Sequence, residues 1–453
     1  MKNKLAIHIF RRDLRLEDNT ALMFALENAE SVVPVFIFDN RQVDQNDFRS
    51  ENAVQFMIES LKNLDSSLND RGGSLVVYYG DLNQKLEELI KKYQPDLVTF
   101  NKDYTPFSQE RDEQIKEIMR IHNVEVKSFD DSLLNAPGVV LKRNGEPYTV
   151  FTPYKNKAKQ FKIRKPRKNN FKNYHGISEE NYSNDEVYEQ VQYFKNENIS
   201  VSGGREEGKN LLKNLNKMVK YEKLRDFPSA DYTSHLSAHN KFGTISIREV
   251  YHFAKNKMPN SEIFISELYW RDFFSQIVYF FPHVIGNSFK NKYQNIVWEN
   301  NHKKFKAWCD GETGFPIVDA GMRQLNETGY MHNRVRMIVA SFLVKDLLID
   351  WRWGEKYFAQ KLVDYDPSVN NGSWQWAAST GCDAQPYFRI FNPWRQQMKF
   401  DKDCIYIKKW IPELNELSPK QIHNLSEGNA FVTNYPKPIV DHSKQREIAK
   451  NLY

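Results

Sequence analysis

The feature that most constrains this chain is an alternation across its first 130 residues. Short apolar runs at 4–10 (KLAIHIF), 31–38 (SVVPVFIF), 74–79 (SLVVYY) and 97–100 (LVTF) alternate with helix-like segments at about 20–29, 49–69, 82–93 and 108–122. That alternation predicts βαβ units on a parallel sheet. A dinucleotide-binding Rossmann unit would place GxGxxG after the first strand, but FRRDLRLED (10–18) stands there instead. The Rossmann reading therefore loses its main support.

From 131 to 205 the pattern weakens, and eight basic residues fall between Lys155 and Lys168. Such a run is more often a solvated connector than a nucleic-acid patch, so the segment is expected to be an interdomain linker. After 205, helical periodicity dominates at 208–225, 262–281, 316–328, 332–349 and 354–363. The expected fold class is α/β plus all-α, with an α/β domain at 1–130, a linker at 131–205 and an all-helical domain at 206–453. A chain of 453 residues agrees, because single cores stop growing near 250–300 residues.

No run approaches the roughly 18 apolar residues of a membrane helix, so no membrane association is expected. Cys309, Cys382 and Cys404 form no CxxC pair, which argues against a disulfide framework or a cysteine zinc site. The N-terminal apolar stretch is too short for a secretory signal, and a cytoplasmic location is expected.

All nine tryptophans lie at position 270 or later. Charge divides in the same way: residues 1–130 carry a net −6 and the remainder +12. A basic surface interleaved with aromatics suits a polyanion whose bases can stack, although an excess of this size is common in proteins that never touch nucleic acid.

Four segments could carry chemistry. In EIFISELYWRDFFSQIVYFF (262–281), Glu267, Trp270, Arg271 and Phe274 share one helical face, either as an ion pair around a core indole or as a pocket wall that stacks on a base. Asn333, Arg334, Arg336 and Met337 crowd the first turns of an otherwise apolar helix and must find partners or a ligand. In DYDPSVNNGSWQWAAST (364–380), Asp364 and Asp366 could bind a metal, cap a helix or accept sugar hydroxyls, with metal ranked last, and Trp374 and Trp376 stand at an apparent helix start. The run Thr233, Ser234, His235, Leu236, Ser237 precedes helical sequence and could cap a helix or cradle a pyrophosphate.

Taken together, FRRDLRLEDNTAL (10–22), RDFPSADYTSHLS (225–237), ELYWRDF (267–273), the long stretch 313–355 and NNGSWQWAASTGCDAQPYFRIFNP (370–393) resemble the photolyase and cryptochrome family. The likeness is strongest to class I cyclobutane pyrimidine dimer DNA photolyases. The resemblance implies an antenna-type α/β domain followed by an all-α domain that binds FAD.

It places Tyr221, Thr233, Ser234, His235, Leu236, Ser237, Phe264, Arg336, Asp364, Tyr365, Asp366 and Asn370 at flavin positions, Asn370 beside the flavin N5. Trp374, Trp351 and Trp298 match an electron-transfer triad. Glu267, Trp270, Asn333, Met337 and Trp376 match a pocket for the flipped-out dimer, with Glu267 stabilising charge on it. Arg225, Arg271, Arg334 and Arg389 match positions that face DNA phosphates.

The implied partner is DNA containing pyrimidine dimers, bound by a monomer with no obligate protein partner. The implied activity is light-driven dimer repair, with a signalling cryptochrome as the alternative. An antenna chromophore, methenyltetrahydrofolate or a deazaflavin, is expected to be possible, and Glu110 matches a position that touches a folate. No metal is implied.

Overall fold

The structure, a computed structural model, describes residues 2–44, 46–177, 183–425 and 434–453. Its packing defines two compact units interleaved in sequence. Residues 1–195, 201–217 and 234–282 form the first, and residues 196–200, 218–233 and 283–453 form the second.

The first unit is built on a five-stranded parallel sheet of order β3-β2-β1-β4-β5, with β1 Asn3–Phe10, β2 Ala29–Asp39, β3 Val76–Gly80, β4 Leu97–Asn101 and β5 Glu125–Phe129. Central β1 pairs Ile7 with Val33 on one side and with Val98 on the other. Helices α1 (Thr20–Asn28), α2 (Glu51–Asn69), α3 (Leu82–Tyr93) and α4 (Pro106–Ile121) provide the crossovers. Each is started by a side chain that accepts a backbone N–H, namely Asn19, Ser50, Asp81 and Thr105. Four strands and four helices thus fall where the alternation predicts them. Strand β5 (EVKSF) was not foreseen, because a polar edge strand carries no apolar run.

Where a glycine-rich loop would follow β1, a carboxylate organises the turn. Asp13 accepts from the backbone N–H of Arg11 at 2.7 Å and from the side-chain amides of Asn19 at 3.0 Å and Asn101 at 2.5 Å. A buried ion cluster then ties distant sequence to this loop. Arg248 donates to Asp18 at 2.7 Å and to Asp131 at 2.6 Å, and Arg15 also pairs with Asp131. Residues 131–195, 201–217 and 234–282 pack with the sheet, so the expected boundary near 205 does not coincide with the division by packing. Helix α5 (Phe151–Ala158) belongs to this part, as does the 19-residue α6 (Glu262–Phe280).

The helix expected over 208–225 is broken into Arg205–Asn214, a 3-10 turn Leu215–Lys217 and Tyr221–Leu224. Asn214 and Asn216 sit at the break, where short polar side chains compete for backbone groups.

The second unit is helical: α7 His302–Asp310, α8 Pro316–Thr328, α9 Asn333–Lys345, α10 Trp351–Lys361, α11 Pro367–Ala378 and α12 His442–Asn451, with shorter helices between the last two. Its core includes Trp308, Phe315, Phe342, Trp351, Phe358 and Trp374, all fully or nearly fully buried. Packing therefore explains part of the tryptophan clustering.

Candidate active site

In the first unit α6 carries Glu267, Trp270, Arg271 and Phe274. Phe264, Ile265, Leu268, Tyr269, Asp272 and Phe273 are buried, whereas Glu267, Trp270, Arg271 and Phe274 are half-buried, so the stripe read from spacing forms one partly open face. The Trp270 ring lies parallel to Phe151 of α5, with centroids 3.5 Å apart and planes 9° apart, and stacks on Phe274 at 5.3 Å. These neighbours hold the indole in one orientation. Arg271 donates to the carbonyls of Ser132 and, at 3.1 Å, Asn240. Its guanidinium thus already anchors loop backbone.

Within Ser234–Ser237, the Ser234 hydroxyl accepts from Leu236 N–H at 3.4 Å and His235 takes a left-handed φ of 52°, before a short helix Ser237–Phe242.

In the second unit, Arg336 of α9 donates two nearly parallel bonds to Asp364, at 3.2 and 3.0 Å, and a third to the Met331 carbonyl at 2.7 Å. Its charge also sits 5.4 Å from the Tyr330 ring, whose hydroxyl is 3.2 Å from Thr233 Oγ1. Tyr221 is buried under the Arg225 guanidinium, and Tyr365 packs against the aromatic core.

Asp366 caps α11 by accepting from Ser368 and Val369 N–H at 3.0 and 3.3 Å. That geometry realises the capping option for this carboxylate. One turn on, Asn370 donates its amide to the Glu355 carbonyl at 3.0 Å, while Asn371 bonds the Glu355 carboxyl at 3.0 Å and the Val284 carbonyl at 3.0 Å. Gln375 extends this lattice to Asn371 at 2.9 Å. Sequence reasoning missed Glu355, Asn371 and Gln375; only the NN doublet at 370–371 hinted at them.

Burial pushes the Glu355 carboxyl up to about 7, against the opposing pull of the Asn371 bond and the Arg352 charge.

At the head of α9, His332 accepts Arg334 N–H at its Nδ1, 3.2 Å away. Burial lowers its pKa to about 4, so the ring is neutral at pH 7 with its proton on Nε2. Asn333 is exposed and its amide lies 3.9 Å from the half-buried Met337 sulfur. Arg334 pairs with Asp226 at 2.9 Å and stacks over Phe400 at 4.5 Å, while Arg225 approaches the same carboxylate at 4.0 Å. Arg389 is exposed in the loop before Asn392.

Trp374 and Trp376 lie in the last turns of α11, which starts at Pro367, and not at a helix start. Pro367 after the Asp366 cap is the signal that marks the true start. Trp374 is buried between Phe358 at 5.0 Å and Trp308 at 6.2 Å, Trp351 opens α10 fully buried, and Trp298 is half-buried. Half-buried Trp376 packs against the same core.

Comparison with known proteins identifies the family. The family model described as DNA photolyase matches residues 6–170, and that described as the FAD binding domain of DNA photolyase matches residues 264–453. Deoxyribodipyrimidine photo-lyases of Halobacterium salinarum and Escherichia coli are 36% and 37% identical, over 98% and 96% of this chain and 97% and 96% of their own. The chain belongs to the DNA photolyase family.

As a photolyase it is a lyase of DNA repair that carries an FAD-binding domain. An archaeal photolyase structure from Sulfolobus tokodaii, described with two FAD molecules, matches with a TM-score of 0.90 and 44% identity, covering 99% of both chains. A class III photolyase from Agrobacterium tumefaciens matches with a TM-score of 0.92 and 36% identity, covering 100% of this chain and 98% of its own. Similarity thus reaches beyond class I, and the photolyase assignment stands at the level of the family. Among the described residues no helix is long and apolar enough to cross a membrane.

Proposed function

We propose that this photolyase repairs cyclobutane pyrimidine dimers in DNA under near-ultraviolet or blue light, in the manner of class I enzymes. Bound FAD, reduced and excited by light, supplies the electron that splits the dimer. The protein binds, orients and tunes.

The observation that carries this reading is the head of α9, where Asn333 and Met337 form an amide-to-sulfur contact at 3.9 Å. A (6-4) photolyase would be expected to carry a histidine pair in this region. An amide and a thioether suit the polar edge and apolar flank of two fused pyrimidines. Glu267 hydrogen-bonds the flipped-out lesion and stabilises charge on it, Trp270 and Trp376 stack on its flanks, and extrusion costs only a few kcal/mol for a damaged base.

Arg336 and Asp364, with Tyr221, Thr233 to Ser237, Phe264, Tyr365 and Asp366, hold the flavin, and Asn370 sets the polarity at its reactive edge. Trp298, Trp351 and Trp374 relay electrons from the surface. Arg225, Arg271, Arg334 and Arg389 bind phosphates and give a salt-dependent affinity for any sequence. A light-harvesting second chromophore in the α/β unit completes the reading, and the Sulfolobus relative with two FAD molecules supports a flavin in that role.

Binding in the dark tests the pocket. Glu267→Ala and Trp270→Ala should lose selectivity for dimer-containing over intact oligonucleotide while keeping affinity for intact DNA. Unchanged selectivity in both would remove these residues from the pocket.

A further inference from the structure

Half-buried Trp270 of α6 meets Phe151 of α5 with ring centroids 3.5 Å apart and planes only 9° apart. A separation this close to carbon–carbon contact distance leaves no room for lateral offset, so the Phe151 ring lies squarely on one indole face and covers it. Free aromatic pairs avoid that superposition and prefer an offset or edge contact. The surrounding packing imposes it here. Phe273 meets both rings at steep angles, 5.7 Å from Trp270 and 5.8 Å from Phe151, and Phe151 is only 5% exposed.

Away from Phe151 the indole is less covered. Phe274 stacks on it at 5.3 Å with planes 29° apart, a separation that requires an offset and leaves part of the ring open. A flat ligand can therefore meet the indole only on the side turned away from Phe151. Phe151 itself is too buried to touch DNA. Lys155, one turn along α5, holds its ammonium 5.5 Å over the Phe151 ring, so this position uses an aromatic face and not bulk alone.

A stacking side chain that must be ordered on binding weakens the affinity for every ligand that uses it. A ring clamped beforehand has already lost that freedom in folding. We propose that Phe151 is a positioning residue for lesion recognition: it fixes the plane of Trp270 and blocks one of its faces, so that the damaged bases stack on a preorganised surface. It acts through Trp270 and contacts no DNA. Intact DNA keeps its bases in the duplex stack, does not use the indole and gains nothing from the clamp. This inference rests on the reading of Trp270 as part of the lesion pocket.

A double-mutant cycle tests it. Binding of the FAD-loaded full chain in the dark to dimer-containing and to intact oligonucleotide gives a selectivity ratio for the parent, Phe151→Leu, Trp270→Ala and the double variant. Phe151→Leu should lower selectivity about two- to tenfold, the range for loss of one aromatic pair, with affinity for intact DNA unchanged. Phe151→Tyr, which keeps the ring, should restore the ratio. In the Trp270→Ala background, Phe151→Leu should have no further effect. A merely structural role would instead weaken binding to both oligonucleotides alike and would overturn the proposal. Parental selectivity in Phe151→Leu, or an equal loss with and without Trp270, would also overturn it. Selectivity lost in Trp270→Ala but kept in Phe151→Leu removes the proposal alone, whereas parental selectivity in Trp270→Ala removes the pocket reading and the proposal together.

Discussion

Arg336 and Asp364 form a two-pronged ion pair, 3.2 and 3.0 Å, between α9 and the loop that leads into α11. Lysine keeps the charge but not the fork, and hydrogen bonds to charged groups are worth about 1.5–3 kcal/mol each. Arg336→Lys and Asp364→Asn should therefore purify with roughly tenfold weaker FAD retention, one decade per 1.4 kcal/mol. Flavin-to-protein ratios after dialysis report the loss, and ratios equal to the parent's would take this pair out of the flavin site.

Glu355 gives a pH signature. Its carboxyl titrates near 7 in the folded protein because it is buried, and near 4.3 when unfolded. Between those values the folded chain holds a proton that the unfolded chain has lost, so this group lowers stability as pH rises from about 4.3 to 7, by about 3 kcal/mol at most. Denaturation midpoints at both ends of the window should show Glu355→Gln gaining on the parent as pH increases. A difference between the two proteins that does not change with pH would refute the assignment.

Gly354 is required by its neighbour. A Cβ at this position would meet Trp374 Cη2 at 2.1 Å and Leu343 Cδ2 at 2.6 Å, within a rigid buried cluster. Gly354→Ala should cost about 1–3 kcal/mol by overpacking, despite alanine's better helix propensity. A thermal midpoint at or above the parent's would mean that the indole is free to move.

Asp226 neutralises two arginines assigned to DNA, at 2.9 Å from Arg334 and 4.0 Å from Arg225. A phosphate must compete with it. Asp226→Asn should bind intact duplex more tightly at low salt and steepen the dependence of log affinity on log salt by up to about 1. Titration at several salt concentrations checks this, and a slope unchanged from the parent would place the two arginines away from the backbone.

The local pattern was legible where burial follows a period. Helix α8 spans 316–328 as its periodicity predicts, and the partly open stripe of Glu267, Trp270, Arg271 and Phe274 follows from spacing alone. Relations between elements were not legible. Arg336 and Asp364 lie 28 residues apart and Glu355 and Asn371 lie 16 apart, and no periodicity joins such pairs. Family resemblance placed both members of the first pair at flavin positions, and nothing pointed to Glu355 of the second. The boundary near 205 was misplaced relative to packing because the attachment is made by Arg15, Asp18, Asp131 and Arg248, single charged residues far apart in sequence.

The most direct measurement is repair itself. Reduced, FAD-loaded protein mixed with oligonucleotide containing a cyclobutane thymine dimer, then illuminated with near-ultraviolet or blue light, should restore the thymine absorbance band and yield intact thymines by chromatography, with no change in the dark. Normal binding of the damaged strand with no restored thymine under light would contradict the account.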